Sequence, residues 1–252
     1  MKAWLEQIEK EYGIDILFAC EAGSRSWGYA SVHSDQDIRY IYRHQDTRKY
    51  FSLDSPLEVI TMDSPYDAQG WDIKKAFHLL RKSNPSLFEW SNSTIIYLNK
   101  DDFQAKLQQL VKWGYSPFSL AMHYLNLARR ILKGIEPNRF SAIEEKQLLY
   151  CLRSLLIIKE LVQSRTISGR LIPKENRIKN FSDCTEYKIY LKLINAKKRE
   201  QLIPEKDSKI AYKVIDQLIA NYTVEVEALE KGKEMTTPLN EWLWDLLDLR
   251  GE

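Results

Sequence analysis

The most informative segment of the sequence is Cys20-Glu-Ala-Gly-Ser-Arg-Ser-Trp-Gly-Tyr-Ala-Ser-Val-His-Ser-Asp-Gln-Asp-Ile-Arg39. Within it, a Gly23-Ser24 turn precedes two carboxylates, Asp35 and Asp37, at the start of a predicted strand. Side chains alternate across a strand, so residues two apart point to the same face. Asp35 and Asp37 are therefore expected to face one side together, where they repel each other unless a positive charge lies between them.

A divalent cation is the usual partner of such a carboxylate pair. Mg²⁺, with Mn²⁺ as the alternative, prefers one or two carboxylates plus water and substrate phosphates. The neighbouring turn offers backbone N–H groups and the Ser24 hydroxyl to a phosphate, and the Arg25 guanidinium can bind the same group. The combination predicts metal-assisted chemistry on a nucleoside triphosphate.

A structural interpretation of these residues stays open beside the functional one. The segment Ser-Asp-Gln-Asp also suits a solvated hairpin loop, since serine and aspartate favour turns. Ser24 could equally be an ordinary residue at a helix start, and Arg25 an ordinary surface arginine. The pair of aspartates alone is a weak signal, and the turn upstream of it makes the signal stronger.

Hydrophobic periodicity around this stretch predicts an α+β fold. Strands are expected over 14–21, 37–42, 57–62 and 66–70, and helices over 4–12 and from Trp71 to Asn84. Beyond residue 100 long helical patterns replace them, with an exposed loop over 164–180. We therefore expect a small mixed β-sheet with flanking helices over 1–100, followed by a C-terminal helical bundle over 101–252.

Composition excludes several classes of protein. The 252 residues include 37 basic and 35 acidic ones, and the net charge of +2 does not demand a nucleic-acid partner. Three widely separated cysteines suggest neither a disulfide framework nor a zinc cluster. No signal-peptide pattern and no apolar run long enough for a bilayer is present, so we expect a cytoplasmic protein with no membrane partner.

Three motifs carry a family resemblance. The first is Gly23-Ser24-Arg25-Ser26-Trp27-Gly28-Tyr29-Ala30-Ser31 followed by Ser34-Asp35-Gln36-Asp37-Ile38-Arg39. The second is Gly70-Trp71-Asp72-Ile73-Lys74-Lys75, with Ser83-Asn84-Pro85 and Glu89-Trp90 after it. The third is Lys146-x-x-x-Tyr150-x-x-Arg153. Together they resemble the DNA-polymerase-β-like nucleotidyltransferases, and within them the YcgL-like, RNA-repair-associated predicted nucleotidyltransferases.

The resemblance implies the roles of further residues. A third carboxylate is expected from a neighbouring strand, and Asp67 is the preferred candidate ahead of Asp72, while Asp63 has the character of a turn residue. The catalytic and metal-binding residues implied are Asp35, Asp37 and Asp67. The nucleotide-binding residues implied are Gly23, Ser24, Arg25, Lys146, Tyr150 and Arg153, with Lys146 and Arg153 on the triphosphate and Tyr150 at the ribose or base.

The implied activity is a Mg²⁺-dependent transfer of a nucleoside monophosphate from an NTP to an acceptor hydroxyl, with release of pyrophosphate. An RNA end is the expected acceptor, because the resemblance is to an RNA-repair group. A protein acceptor, as in antitoxin-like adenylylating enzymes, is the first alternative. A nucleotide-binding module without turnover is the second.

Overall fold

The computed structural model describes residues 1–137, 139–167 and 184–249. The chain divides into two compact units, each drawn from more than one segment. The first unit comprises Met1–Trp27, Asp35–Tyr115 and Lys233–Glu252, and the second comprises Gly28–Ser34 and Ser116–Gly232. The division into domains 1–100 and 101–252 stays a prediction.

Within the described residues, one sheet of five strands organises the first unit. The strands are β1 (Ile14–Glu21), β2 (Asp37–His44), β3 (Val59–Met62), β4 (Asp67–Asp72) and β5 (Ile96–Asn99). Their order across the sheet is β3-β4-β2-β1-β5. β2 and β4 run parallel, whereas the other neighbouring pairs are antiparallel. The predicted small mixed sheet is confirmed.

Helices surround this sheet and make up the second unit. The α-helices described are α1 (Lys2–Tyr12), α2 (Gly23–Ser26), α3 (Ile73–Arg81), α4 (Pro85–Ser91), α5 (Phe103–Gly114), α6 (Pro117–Lys133), α7 (Ala142–Ser164), α8 (Thr185–Arg199), α9 (Glu205–Glu225) and α10 (Thr236–Leu246). Short 3₁₀ turns lie at Thr47–Phe51, Lys100–Asp102 and Val226–Ala228. The α+β class expected from the sequence is confirmed.

One face of the sheet packs against α1. Leu5 and Ile8 of α1 join a buried cluster with Ile16, Ile38 and Tyr40 of the two central strands. Apolar side chains at this spacing form one stripe of a helix, and fully burying each such side chain contributes roughly 1.5–3 kcal/mol. Gly13 ends α1 in the left-handed conformation, as its position in the sequence predicts.

An aromatic cluster ties the C-terminal helix to the first unit. Phe18 of β1 stacks on Phe103 of α5 at 6.0 Å between ring centroids. Trp242 of α10 lies 4.7 Å from Phe103 and 4.8 Å from Phe77 of α3. Such aromatic pairs add to the burial energy of their rings. The packing explains why α10 belongs to the sheet-bearing unit although it lies far away in the sequence.

The second unit is a helical bundle in which α7 is the central element. Both ends of α7 are held by polar contacts inside an otherwise apolar interior. Glu145, near its start, accepts hydrogen bonds from Ile203 N at 3.2 Å and Ser208 Oγ at 3.0 Å. Near its end, Lys159 Nζ lies 2.7 Å from Glu186 Oε1 of α8. The predicted helical character of the C-terminal half is confirmed for the residues described.

Two local predictions differ from the structure, and one lies partly outside it. The helix expected from Trp71 begins two residues later, because Trp71 and Asp72 complete β4. Helix α8 was not predicted, since its apolar positions are interrupted by many lysines. The exposed loop expected over 164–180 falls largely on 168–183, outside the described residues.

Candidate active site

The Gly23-Ser24 turn lies directly against Asp37. Gly23 has a φ of +58°, and a Cβ at this position would lie 2.0 Å from Oδ2 of Asp37. The backbone N–H of Ala22 also donates to the carbonyl of Asp37 at 2.7 Å. Both the left-handed backbone and the close carboxylate exclude a side chain at Gly23. The structure thus brings together the turn predicted for phosphate and one predicted metal ligand.

Ser24 and Arg25 follow in the short helix α2. The side chain of Ser24 is mostly buried. Arg25 is half-buried, and its Nε donates to the carbonyl oxygen of Asp35 at 3.0 Å. Arg25 therefore braces the backbone of the segment that carries the two aspartates.

Asp37 and Asp67 stand side by side at one edge of the sheet. They are register partners, and each is the first residue of its strand in the parallel pair β2 and β4. Neighbouring strands lie about 4.8 Å apart, and register partners point to the same face. Asp67, predicted as the third carboxylate, is thereby placed next to Asp37.

A cross-strand contact fixes this register. Three residues along the same two strands, Tyr40 is the partner of Gly70. A Cβ at Gly70 would lie 2.1 Å from the Tyr40 ring, so the ring packs directly on the glycine backbone. A slip by one residue would place a side chain under that ring and turn every side chain of the strand to the other face. The position of Asp67 beside Asp37 is therefore set by packing in the sheet interior.

Arg39 bridges the two carboxylates. Its Nη1 lies 2.9 Å from Oδ1 of Asp67 and its Nη2 lies 3.5 Å from Oδ1 of Asp37. Nη1 also donates to the carbonyl oxygens of Asp67, at 2.9 Å, and Ile38, at 3.0 Å. A guanidinium is a planar donor well suited to paired oxygens. Arg39 therefore places a positive charge between Asp37 and Asp67, whereas the sequence led us to expect such a charge between Asp35 and Asp37.

Negative charge is concentrated around Asp37. Burial raises the pKa of the Asp37 carboxyl; Arg39 opposes this rise, and the charges of Asp67, Glu21 and Asp35 add to it. Removing a carboxylate from water and placing other carboxylates near it both disfavour its ionised form. A further cation at this edge would relieve the repulsion.

Glu21 is a site residue that the sequence interpretation missed. It is the last residue of β1 and is buried, with 1% of its surface exposed. Its Oε1 accepts a hydrogen bond from Asp37 N at 2.9 Å, and its Oε2 accepts one from the Tyr97 hydroxyl. The available signal was an acid that closes the apolar strand sequence Ile14-Asp-Ile-Leu-Phe-Ala-Cys-Glu21 directly before the glycine turn.

Asp35 is placed differently from Asp37. β2 begins at Asp37, so Asp35 precedes the strand and its exposed side chain is not fixed by strand alternation. The expectation that both aspartates lie in one strand is therefore wrong, and strand alternation does not determine the face of Asp35. Asp35 still contributes to the charge around Asp37, as its effect on the pKa of Asp37 shows.

The alternatives for the third carboxylate occupy other positions. Asp72 lies at the far end of β4 from Asp67 and is buried. It caps α3 by accepting from Lys74 N at 2.8 Å, and it accepts from the Tyr50 hydroxyl at 2.6 Å. Capping satisfies a helix donor that otherwise has no partner. Asp63 lies exposed in the turn before the cis Ser64-Pro65 bond.

The three predicted nucleotide contacts of α7 lie in the second unit and differ in their surroundings. Lys146 is exposed and lines a pocket of about 300 Å³ within that unit. Its Nζ lies 5.8 Å from the centre of the Tyr150 ring. Arg153 is buried, with 4% exposed, and its charge acts on the buried Tyr190. Lys146 thus lines the pocket and Tyr150 is half-buried beside it, whereas Arg153 belongs to the bundle interior.

The first unit's carboxylates fit a magnesium ion. Among the residues that the structure describes, no group of three or more histidine, cysteine, aspartate or glutamate side chains forms a metal site. Mg²⁺ needs fewer protein ligands than that, since it commonly uses one or two carboxylates and completes its shell with water and phosphate oxygens. Asp37 and Asp67 supply hard oxygen donors at one edge, with the excess negative charge that such an ion neutralises.

Comparison with known proteins decides the family. The model of the RNA repair pathway DNA polymerase beta family matches residues 1–245. The chain belongs to this family. The membership makes it a polymerase-β-like nucleotidyltransferase of an RNA-repair context and confirms the resemblance carried by the three motifs. Nothing in the membership names the nucleotide, the metal or the acceptor.

Two individual proteins resemble the chain. The uncharacterized protein YcgL of Bacillus subtilis (strain 168) is 29% identical over 251 residues, which cover 97% of this chain and 94% of YcgL. A nucleotidyltransferase-like protein from Exiguobacterium sibiricum 255-15 matches 100% of this chain and 81% of its own, with 13% identity and a TM-score of 0.35. A TM-score of that size is too low to bear on the fold or the activity.

None of the helices in the described ranges combines the length and the apolar character needed to cross a membrane.

Proposed function

We propose that the protein is a Mg²⁺-dependent nucleotidyltransferase that moves a nucleoside monophosphate from an NTP to a hydroxyl at an RNA end and releases pyrophosphate. The observation that carries the proposal is the register pair Asp37 and Asp67, held beside the Gly23-Ser24 turn. Membership of an RNA-repair polymerase β family supports both the chemistry and the acceptor.

Asp37 and Asp67 are the residues that would hold the metal, with Asp35 as an additional carboxylate at the same edge. When bound, Mg²⁺ or Mn²⁺ neutralises charge on the triphosphate oxygens during an in-line displacement. Asp37 is the more buried of the two carboxylates and lies against Gly23, so it suits a metal ligand of fixed position. Asp67, with 56% of its side chain exposed, can reach an incoming acceptor and take up the proton of its hydroxyl.

The other residues position the reactants. The Ser24 hydroxyl and the Gly23 turn would hold the β- and γ-phosphates, and Arg25 braces the segment that carries Asp35. In the transfer, the acceptor oxygen forms a bond to the α-phosphorus while the bond from that phosphorus to the pyrophosphate oxygen breaks. Lys146, Tyr150 and Arg153 stay candidate nucleotide contacts of the second unit, and the burial of Arg153 favours Lys146 and Tyr150 among them.

The proposal is tested by transfer of label from α-³²P NTPs, with Mg²⁺, into mixed cellular RNA and protein. Wild-type protein and the Asp37→Asn variant are compared, both checked for folding by circular dichroism. Label on RNA that requires Asp37 supports the proposal. If protein is labelled instead of RNA, and the labelling requires Asp37, the proposed chemistry stands and the acceptor is a protein. Absence of label from both, in folded protein, contradicts the proposed activity.

A further inference from the structure

A cleft between α3 and α10 of the first unit has a basic rim and an apolar base. Its volume is about 230 Å³. Three of its lining residues, Lys74, His78 and Arg81, can carry positive charge, and no aspartate or glutamate lines it. Phe77 and Leu239 supply apolar surface to the same cleft. Its chemistry therefore suits an anion attached to a less polar body.

The basic residues form a row. Lys74, His78 and Arg81 occupy positions i, i+4 and i+7 of α3 and are exposed, so they share one side of the helix. At 1.5 Å per residue, the row extends roughly 10 Å along the helix axis. Neighbouring phosphates of a nucleic-acid strand are only a few ångströms apart, so a row of this length can meet more than one of them.

The opposite wall of the cleft comes from α10. Arg81 Nη1 lies 3.4 Å from Oγ1 of Thr236, which directs the guanidinium toward that wall. Hydrogen bonds from Thr236 lower the pKa of Glu234, and the charge of Arg81 adds to the lowering. Glu234 therefore offsets part of the charge of Arg81 without lining the cleft. Lys74 and His78 complete the positive rim, and Asn240 of α10 adds an amide that can bond to sugar or phosphate oxygens.

We propose that this cleft binds the backbone of the RNA acceptor strand, with Lys74, His78 and Arg81 on successive phosphates. The inference rests on the RNA acceptor of the proposed function and adds to it a binding surface in the first unit. A free mononucleotide fits less well, because pockets that enclose small ligands usually have volumes of about 300–1,000 Å³. The shallow apolar base suits a ribose or base edge of a strand laid across the rim.

The test measures binding of a short fluorescent single-stranded RNA by anisotropy, at salt concentrations between about 50 and 200 mM. The double variant Lys74→Gln/Arg81→Gln is compared with Lys2→Gln/Lys10→Gln, which removes the same charge from the exposed side of α1. Each lost phosphate contact lowers the salt slope by about 0.7 for a single strand, so the cleft variant is expected to lose about 1.4. Its Kd should rise about tenfold, with little change in the matched control. Thermal melting confirms that both variants are folded.

Three results overturn the proposal. The first is equal RNA binding and equal salt slopes in the cleft variant and the control. The second is displacement of the RNA by AMP as effectively as by unlabelled RNA of the same nucleotide concentration, which would make the cleft a mononucleotide site. The third is lack of RNA binding by the wild type.

The outcomes separate this inference from the proposed activity. If label is still transferred to RNA, and the cleft variant binds RNA as the control does, the cleft proposal is refuted and the proposed transfer stands. RNA binding that depends on the cleft, in a protein that transfers no label to RNA, refutes the proposed transfer and keeps the cleft.

Discussion

Asp37 and Asp67 are register partners on the adjacent parallel strands β2 and β4, and both are first residues of their strands. Their separation is therefore set by the spacing of strands and not by a loop. Arg39 contacts both carboxylates, with its Nη1 2.9 Å from Asp67 and its Nη2 3.5 Å from Asp37. The sheet thus fixes the positions of the two carboxylates, and the positive charge of Arg39 stabilises the pair.

Gly23→Ala should destabilise the protein more than Gly13→Ala does. Both glycines have left-handed backbone, with φ of 58° and 61°. An alanine in that conformation costs roughly 1–2 kcal/mol. At Gly13 nothing lies within 4 Å of the new Cβ, whereas at Gly23 the Asp37 carboxylate lies 2.0 Å away. Urea denaturation should show the larger loss of unfolding free energy for Gly23→Ala, and equal losses would contradict the close approach.

Arg39→Gln should increase the effect of Mg²⁺ on thermal stability. Arg43→Gln is the matched control, because Arg43 lies on the same strand and also pairs with two carboxylates, Asp15 and Asp248, each at 3.1 Å. Without metal, the free energy of unfolding of both variants should fall by about 1 kcal/mol, since partly exposed ion pairs contribute little to stability. Adding Mg²⁺ should then raise the melting temperature most in Arg39→Gln, because the guanidinium no longer occupies the space between Asp37 and Asp67.

The same experiment can contradict this account without any activity assay. If Mg²⁺ shifts the melting temperature equally in the wild type, Arg39→Gln and Arg43→Gln, then Arg39 does not compete with a cation at this edge.

Two glutamates of the second unit should show opposite pH dependence. Burial raises the pKa of Glu145, and the hydrogen bonds from Ile203 and Ser208 only partly oppose it. A raised pKa in the folded state gives stability at low pH that is lost as the pH rises through it. Glu145→Gln should therefore be more stable than the wild type at neutral pH. This advantage should vanish when the pH falls below the ordinary pKa of a glutamate side chain.

Glu186 should give the opposite dependence of stability on pH. Burial alone would raise the pKa of Glu186, but the hydrogen bond and charge of Lys159 bring it below its ordinary value. The stability it contributes is present above that ordinary value and lost as the pH falls. Glu186→Gln should be less stable than the wild type at neutral pH, with a difference that shrinks in acid. Urea titrations from acidic to neutral pH measure both, and parallel curves for the two variants would be inconsistent with these shifts.

Lys146→Gln should weaken nucleotide binding without lowering stability. Lys146 is exposed at the rim of its pocket, whereas Arg153 is buried in the same helix. Arg153→Met should change the melting temperature, and Lys146→Gln should change the Kd for NTP by several-fold. Lys213→Gln, which changes an exposed lysine of α9, is the control for loss of charge. An unchanged Kd in Lys146→Gln would remove Lys146 from the nucleotide site.

Much of the fold followed from local signals. The apolar run 14–21 and the alternating run 37–42 were predicted as strands, and the run 4–12 as a helix. These features depend on hydrophobic periodicity and on backbone conformation, which neighbouring residues determine. The boundary at Trp71 was missed because the apolar spacing of α3 begins before the helix does, and strand pairing with β2 extends β4 through Asp72.

The site was predictable in type but not in arrangement. The glycine turn and the aspartates mark the chemistry, yet the pairing of Asp37 with Asp67 depends on a parallel register that involves distant segments. The packing of Tyr40 on Gly70, which holds that register, carries no local sequence signal. Glu21 was missed for the same reason, since a strand-terminal acid is ordinary until its partners are known.

The most direct test of the central claim is the rate of pyrophosphate release by Asp67→Asn, measured beside Asp63→Asn with an NTP, Mg²⁺ and the acceptor identified by label transfer. Asp63 is an exposed aspartate four residues before Asp67, in the connection between β3 and β4, so its substitution controls for lost surface charge. The rate is expected to fall at least a hundredfold in Asp67→Asn, roughly what removing a positioned proton acceptor costs. An unchanged rate is expected in Asp63→Asn. Equal rates in the two folded variants would contradict the assignment of Asp37 and Asp67 as the catalytic pair.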